Sequence, residues 1–114
     1  MPPKRNPLQL NALQLKTLTL LQELARLPAF SRPADAAGEV AIAGLPTPHG
    51  DHFHLGDTVV ASRDATGLDN RAVWAALERK GLVRSLAAGG AALTALGLGY
   101  PTGLRPALLR KSSD

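Results

Sequence analysis

The stretch of sequence that decides the fold is residues 68–83, LDNRAVWAALERKGLV. Asp69 is placed to cap a helix here, because its carboxylate accepts hydrogen bonds from amides that a first helical turn leaves unpaired. The apolar residues recur at helical spacing and form one stripe, Val73, Ala76 and Leu77. Gly81 can adopt the left-handed conformation that closes a helix, and the apolar pair after it begins a strand. The sequence therefore predicts an amphipathic helix that leads directly into a β-strand.

The flanking residues extend this pattern in both directions. Residues 57–64, DTVVASRD, predict a short helix, and residues 65–68, ATGL, supply a glycine-containing turn between it and the next helix. Downstream, two apolar segments at residues 82–86 and 91–94 flank the tip AAGG at residues 87–90. Paired glycines tolerate the positive φ angles of tight hairpins, so a β-hairpin is predicted over residues 82–94.

Residues 53–97 resemble the winged helix-turn-helix DNA-binding domain superfamily, including the MarR-like and ArsR-like transcription regulators. The residues that carry the resemblance are Ala65-Thr66-Gly67-Leu68, Val73, Ala76-Leu77, Gly81-Leu82-Val83 and Leu93-Thr94-Ala95-Leu96-Gly97. The resemblance implies an α+β winged-helix fold, with the helix-turn-helix at 57–80 and the wing at 82–94. It also implies that the second motif helix enters the DNA major groove.

Composition and charge narrow the classes of protein. A chain of 114 residues is normally one domain, and the absence of cysteine excludes disulfides and thiolate metal sites. No apolar run approaches the roughly 18 residues that span a bilayer, and no secretory signal follows the basic N-terminus, so we expect a cytoplasmic protein. The abundance of Ala, Leu, Gly and Arg suits a bacterial genome. A net charge of +4 permits nucleic-acid binding.

The N-terminal part predicts an arm and one long helix. Residues 1–7 are rich in proline and basic residues, which is typical of a flexible arm. Residues 8–27 predict the first helix, capped at Asn11 with Gln14 as its capping-box partner. Besides its main apolar face, this helix carries a second stripe, Leu8, Leu15 and Leu18. A helix that is apolar on two sides has a second surface to bury, so we predict a homodimer contact there.

The remaining segments complete the predicted domain at residues 8–104. Residues 40–44 alternate as a strand does, and residues 53–55 can pair with them, which predicts an inserted β-hairpin over 39–55. The glycine-rich segment 97–103 then leads to a C-terminal tail at 105–114 with one or two helical turns.

The predicted function is that of a small homodimeric transcription regulator that binds specific DNA sequences. In this template Asn70 contacts adenine, Arg71 contacts guanine, and Trp74 lies beside them on the exposed face. The side chains predicted to reach phosphates are Arg63, Arg79, Lys80 and Arg84. The alternative is that all these residues are ordinary solvated charges on a helix surface.

A second hypothesis is a winged-helix module that binds protein rather than DNA. The wing tip at 87–91 has no basic residue, and carboxylates lie near the proposed face at Asp64, Asp69 and Glu78. Trp74 is also more typical of a packed side chain, against the inserted hairpin or a partner subunit. A surface map separates the two hypotheses, since DNA needs a continuous basic stripe whereas an apolar patch favours a protein partner.

The histidines raise a third hypothesis, a metal-responsive regulator. His49, His52 and His54 lie together around Asp51, and imidazole and carboxylate are ligands for zinc or nickel. The same residues are expected in a polar hairpin turn, so we predict no metal and no cofactor. Neither a nucleophile elbow nor a phosphate-binding loop is present in the sequence, and we predict that the chain is not an enzyme.

Overall fold

The computed structural model describes residues 6–87 and 89–111, which form an α+β fold with two antiparallel sheets. The helices are α1 (Ala12–Leu24), α2 (Arg71–Arg79), α3 (Ala95–Gly99) and α4 (Arg105–Leu108), with 3-10 helices at Ser62–Asp64 and Thr66–Asp69. The strands are β1 (Ser31–Pro33), β2 (Val40–Ile42), β3 (His52–Leu55), β4 (Thr58–Ala61), β5 (Val83–Ser85), β6 (Ala91–Leu93) and β7 (Arg110–Lys111). The predicted α+β class and N-terminal helix are confirmed. Within residues 6–87 and 89–111, no helix has the length and apolar character needed to cross a membrane.

Helix α1 begins at the predicted cap and ends earlier than predicted. The Asn11 carboxamide accepts from the Gln14 amide at 2.8 Å, and the Gln14 side chain accepts from the Asn11 amide at 3.0 Å. The prediction of a helix over residues 8–27 is wrong at both ends. Gln9 has a φ of 55°, which a helix does not allow, and after Leu24 the backbone tightens into turns before Pro28.

Helix α1 is covered on both sides by this chain itself. Leu18, Leu21 and Leu24 are fully buried, and Leu8 and Leu15 pack against the same core. Helices α2, α3, α4 and the two 3-10 helices all contact α1. Most of the second apolar stripe, from which the homodimer contact is predicted, is therefore covered within the chain, and it does not by itself call for a dimer.

The larger sheet has the strand order β1-β2-β6-β5. Strands β5 and β6 pair with Val83 opposite Leu93, which confirms the hairpin predicted over residues 82–94. Gly89 and Gly90 both have positive φ, as its tip requires. Strand β2 lies on the other side of β6, with Val40 opposite Leu93, and so extends the hairpin into a sheet.

The inserted hairpin predicted over residues 39–55 is wrong. Strand β2 pairs with β1 and β6, whereas β3 pairs with β4, with His52 opposite Ala61 and Leu55 opposite Thr58. The reason is local. Gly56, with a φ of 62°, closes a two-residue turn directly after β3, and such a turn favours the neighbouring strand over a distant one.

The helix predicted over residues 57–64 is also wrong, so the helix-turn-helix prediction for 57–80 holds only in its second half. Residues 58–61 form strand β4, because two adjacent valines and a threonine suit a strand and Val60 enters the core from it. Strand β4 lies between β3 and β7, and the chain then reaches α2 through the two 3-10 helices.

The two termini partly confirm their predictions. Residues 1–5 of the predicted arm and 112–114 of the predicted tail lie outside the described residues. Asn6 is held in the fold, because its carboxamide accepts from the Tyr100 hydroxyl and from the Leu10 amide. Helix α4 supplies the predicted helical turn of the tail, whereas α3 and β7 were not predicted.

Gly97 allows α3 to lie directly against the backbone of Leu82, the residue before β5. A Cβ added at Gly97 would lie 2.1 Å from the carbonyl oxygen of Leu82, whereas one added at Gly99 would meet nothing within 4 Å. The Gln22 side chain donates to the Gly97 carbonyl at 2.9 Å and so joins α1 to the same point. This packing depends on the missing side chain.

We expect Gly97→Ala to lower the free energy of unfolding by about 1–3 kcal/mol, because the new methyl group must displace backbone. Gly99→Ala is the matched control, since it lies in the same helix in open space and gains up to about 1 kcal/mol of helix propensity. Denaturant titration of both variants measures the difference. Equal stability of the two variants would contradict the packing described at Gly97.

Candidate interaction surfaces

Helix α2 is capped by Asn70 and not by Asp69, which corrects the predicted cap. The Asn70 side-chain oxygen accepts from the amides of Ala72 at 3.0 Å and Val73 at 3.4 Å. Asp69 ends the preceding 3-10 helix instead. The predicted stripe is confirmed, since Val73, Ala76 and Leu77 are the buried residues of α2. Asn70 was predicted to contact adenine, but its side-chain oxygen already accepts these two hydrogen bonds from the helix.

Trp74 packs on the larger sheet rather than projecting from α2. Its indole nitrogen donates to the Leu68 carbonyl at 2.9 Å, and the ring is half-buried against the core. Trp74 was predicted to pack against a hairpin at residues 39–55, but the strands of that hairpin do not pair with each other. The ring instead lies beside residues of β2 and β6.

An open apolar depression, here called the Trp74 groove, lies beside this ring. It encloses about 420 Å³ and is lined by Ile42, Ala43, Gly44, Leu45, Trp74, Ser85, Gly90 and Ala91. Leu45 is 41% exposed in it. A second depression, lined in part by Arg71 and Glu78, shares Trp74, Ser85 and Ala91 with the groove. The predicted DNA face thus contains two neighbouring depressions, of which the Trp74 groove is largely apolar.

Two of the four predicted phosphate contacts are engaged within the protein. Arg84 donates from Nε and Nη2 to the Glu39 carboxylate at 2.9 and 2.7 Å, and this pairing raises the pKa of Arg84. Lys80 donates from Nζ to the Leu8 carbonyl at 2.7 Å. Glu78 is engaged as well, because it accepts from the amide and hydroxyl of Ser85.

The other predicted cations are divided between two surfaces. Arg71 and Arg79 are exposed on α2. Arg63 lies in the first 3-10 helix and lines a different cavity, one that shares no residue with the Trp74 groove. Arg63 therefore stands apart from the other predicted cations, which lie on or next to α2 and on β5.

The cavity beside Arg63, here called the histidine cleft, encloses about 430 Å³. Its lining is polar at the β3 end and basic at the β7 end: Asp51, His52, His54, Val59, Ala61, Arg63, Asp64, Ala107, Leu108, Arg110 and Lys111. Asp64 is paired there with Lys16 at 3.0 Å. Neither Arg110 nor Lys111 was predicted as a site residue, because only the pairing of β7 with β4 brings them here.

Backbone register places the three histidines on one face. His49 lies opposite His52 across a turn in which Gly50 has a φ of 66°, and His54 follows two residues later on β3. Residues opposite one another, and residues two apart on a strand, project to the same side. The ring centroid of His54 lies 5.5 Å from that of His49 and 4.9 Å from that of His52.

A short hydrogen-bonded chain runs through these side chains. Asp51 Oδ1 lies 3.2 Å from His52 Nδ1, and His52 Nε2 lies 3.2 Å from His54 Nε2. The hydrogen bond with His52 is the main reason why the pKa of Asp51 is below its usual value. Among residues 6–87 and 89–111, no three acidic or imidazole side chains are already arranged around a common metal position.

Comparison of the chain with protein-family models, curated proteins and solved structures finds no match. Its function has to be inferred from its own residues.

We expect Asn70→Ala to lower the free energy of unfolding by about 0.5–2 kcal/mol, because two amides of α2 lose their acceptor. Asp69→Ala is the control, since Asp69 is exposed and precedes the cap. Thermal or denaturant unfolding of both variants measures the effect. A larger loss in Asp69→Ala would mean that the cap is misassigned.

Proposed function

We propose that this chain is a protein-interaction module that holds a segment of a partner protein in the Trp74 groove. The observation that carries the proposal is the Trp74 groove itself, whose largely apolar lining comes from α2 and the larger sheet, at the place where DNA would need basic residues. A cleft of this volume, lined mostly by apolar residues with a few polar groups, is typical of a binding site. The side chains of Lys80 and Arg84 are meanwhile engaged within the fold.

The order of elements supports a relationship to winged helices. Gly81, with a φ of 79°, carries the chain from α2 into β5, and the β5–β6 hairpin follows. Strand β2, between α1 and α2, pairs with β6. The departure is that the β3–β4 hairpin and two 3-10 helices stand where the first motif helix is expected. That departure removes the element that would brace a recognition helix against DNA, which further favours a protein partner.

The chemistry of the groove defines the partner. An aliphatic or aromatic side chain fits beside Trp74, because the lining from β2 and β6 is apolar there. Arg71 lies in the adjoining depression and favours a carboxylate next to that anchor. Glu78 opposes this charge only partly, since it accepts two hydrogen bonds from Ser85. The expected ligand is a short segment with one large apolar residue and a neighbouring acidic residue.

Selection of a displayed random-peptide library on the folded chain tests the proposal. We expect the enriched peptides to share an apolar residue beside an acidic one and to change the fluorescence of Trp74, which is the only tryptophan. Leu45→Glu should weaken their binding at least tenfold, because a carboxylate then enters the apolar lining. The matched control is Leu96→Glu, since Leu96 is 52% exposed and lies outside the groove.

The result contradicts the proposal if no peptide is enriched, or if Leu45→Glu and Leu96→Glu bind the selected peptides as tightly as the native chain does. Equal unfolding midpoints of the two variants are required, and we expect them because both leucines are exposed.

DNA binding by a small homodimeric, cytoplasmic regulator is the second candidate function. The observation that favours it is the exposure of Arg71 and Arg79 on α2 in a chain of net charge +4. Dimers of this kind contact half-sites about one helical turn apart. Lys80 and Arg84, however, are engaged within the chain and Arg63 lies in another cavity, so the geometry supports this candidate less well.

A mobility-shift assay with random-sequence duplex, at low and physiological salt, separates the two candidates. Of the side chains predicted to bind phosphate, Lys80 and Arg84 are hydrogen-bonded within the chain and Arg63 lies in another cavity. We therefore expect only weak DNA binding that salt removes and that shows no sequence preference. Arg71→Ala should then bind nearly as the native chain does. A salt-resistant complex whose sequence discrimination is lost in Arg71→Ala would instead favour the DNA-binding regulator.

A further inference from the structure

We propose that His52 and His54 form a binding site for a divalent transition-metal ion such as zinc, nickel or copper, with Asp51 as the carboxylate that orients His52. The site lies in the histidine cleft, on the face of β3. It is independent of the Trp74 groove, with which the cleft shares no residue.

The distance between the two imidazole nitrogens suits one metal ion. His52 Nε2 and His54 Nε2 are 3.2 Å apart. Two zinc–nitrogen bonds of about 2.0–2.1 Å at a tetrahedral angle separate their nitrogens by about 3.3–3.4 Å. A small separation of the two nitrogens, together with a rotation that directs both lone pairs at one point, therefore lets the rings share an ion. Both rings stand on one strand, at positions two residues apart, so the backbone holds them on the same side.

Asp51 prepares His52 as a ligand. Its carboxylate accepts a hydrogen bond from Nδ1 of His52, which leaves the Nε2 lone pair directed at His54. Metal-binding histidines commonly donate their second ring N–H to a carboxylate in this way, which fixes the tautomer and raises the basicity of the ligand nitrogen. Without metal, His54 donates its Nε2 proton to that lone pair. The ion replaces this proton, and His54 then carries its proton on Nδ1.

The remaining coordination positions are open. His49 lies on the same face, with its ring centroid 5.5 Å from that of His54, and reaches the ion only after a side-chain rotation. Water or an anion completes the coordination otherwise. Arg63, Arg110 and Lys111 line the same cleft and are offset in part by Asp64. Because these cations oppose a bound metal, we expect weaker binding than at a structural zinc site with four protein ligands.

Isothermal titration of the full chain with zinc chloride, nickel chloride or copper sulfate tests the site. We expect saturable binding of one ion per chain, which disappears in His54→Ala and in His52→Ala. For copper, the electron paramagnetic resonance spectrum should show coupling to imidazole nitrogen, which a nonspecific carboxylate site would not give.

The role of Asp51 is tested by Asp51→Asn, for which we expect about tenfold weaker binding, the lower end of the usual range, because the Asp51 side chain is exposed. Asp57→Asn is the matched control, because Asp57 is exposed at the other end of the β3–β4 hairpin and its loss removes the same charge. Its affinity should equal that of the native chain. Circular dichroism of each variant checks that the fold is kept.

Three results would overturn the proposal. They are the absence of saturable binding, unchanged affinity in His54→Ala, and an equal loss of affinity in Asp51→Asn and Asp57→Asn. The last result would mean that overall charge, and not the hydrogen bond to His52, attracts the ion.

Discussion

The burial of α1 is the constraint on which the rest of the structure depends. Four leucines of this helix are at most 1% exposed, and the helices and 3-10 helices that follow in the chain all pack on it. Two threonines are buried with them, and their hydroxyls donate to carbonyls one turn earlier, so that neither hydroxyl is left without a partner. The Thr19 hydroxyl also meets that of Thr102 at 2.7 Å. Glu23 is buried as well, and Arg105 of α4 pairs with it. Both apolar and polar contacts thus fasten the C-terminal segments to one helix.

Sequence patterns predicted those elements whose signals are local. The capping box at Asn11, the stripe of α2 and the double glycine of the β5–β6 hairpin each lie within a few residues, and each is found in the structure. Strand β4 was mistaken for a helix because a short apolar run has no clear period, and only its pairing with β3 decides the matter. Strand β2 pairs with its neighbour β1 and also with β6, about fifty residues away, and no local pattern indicates the second pairing.

The candidate sites also divide into features with local sequence signals and features that depend on distant segments. The histidines were recognised because they are adjacent in sequence, and their convergence on one face follows from a turn and a strand period. The Trp74 groove was not foreseen, because its lining comes from β2, α2 and β6 together. Charges were the least predictable feature. Arg84 and Lys80 look like free cations in the sequence, yet each has a partner far along the chain, at Glu39 and Leu8.

Contacts between distant segments also set the order in which this protein can be completed during synthesis. The Tyr100 hydroxyl bonds to Asn6, and β7 supplies the second neighbour of β4 only at residues 110–111. The leucines of α1 therefore gain their complete cover only after the segment around Tyr100 has emerged and folded against them. Until then the emerging chain exposes part of an apolar surface that can associate with other chains.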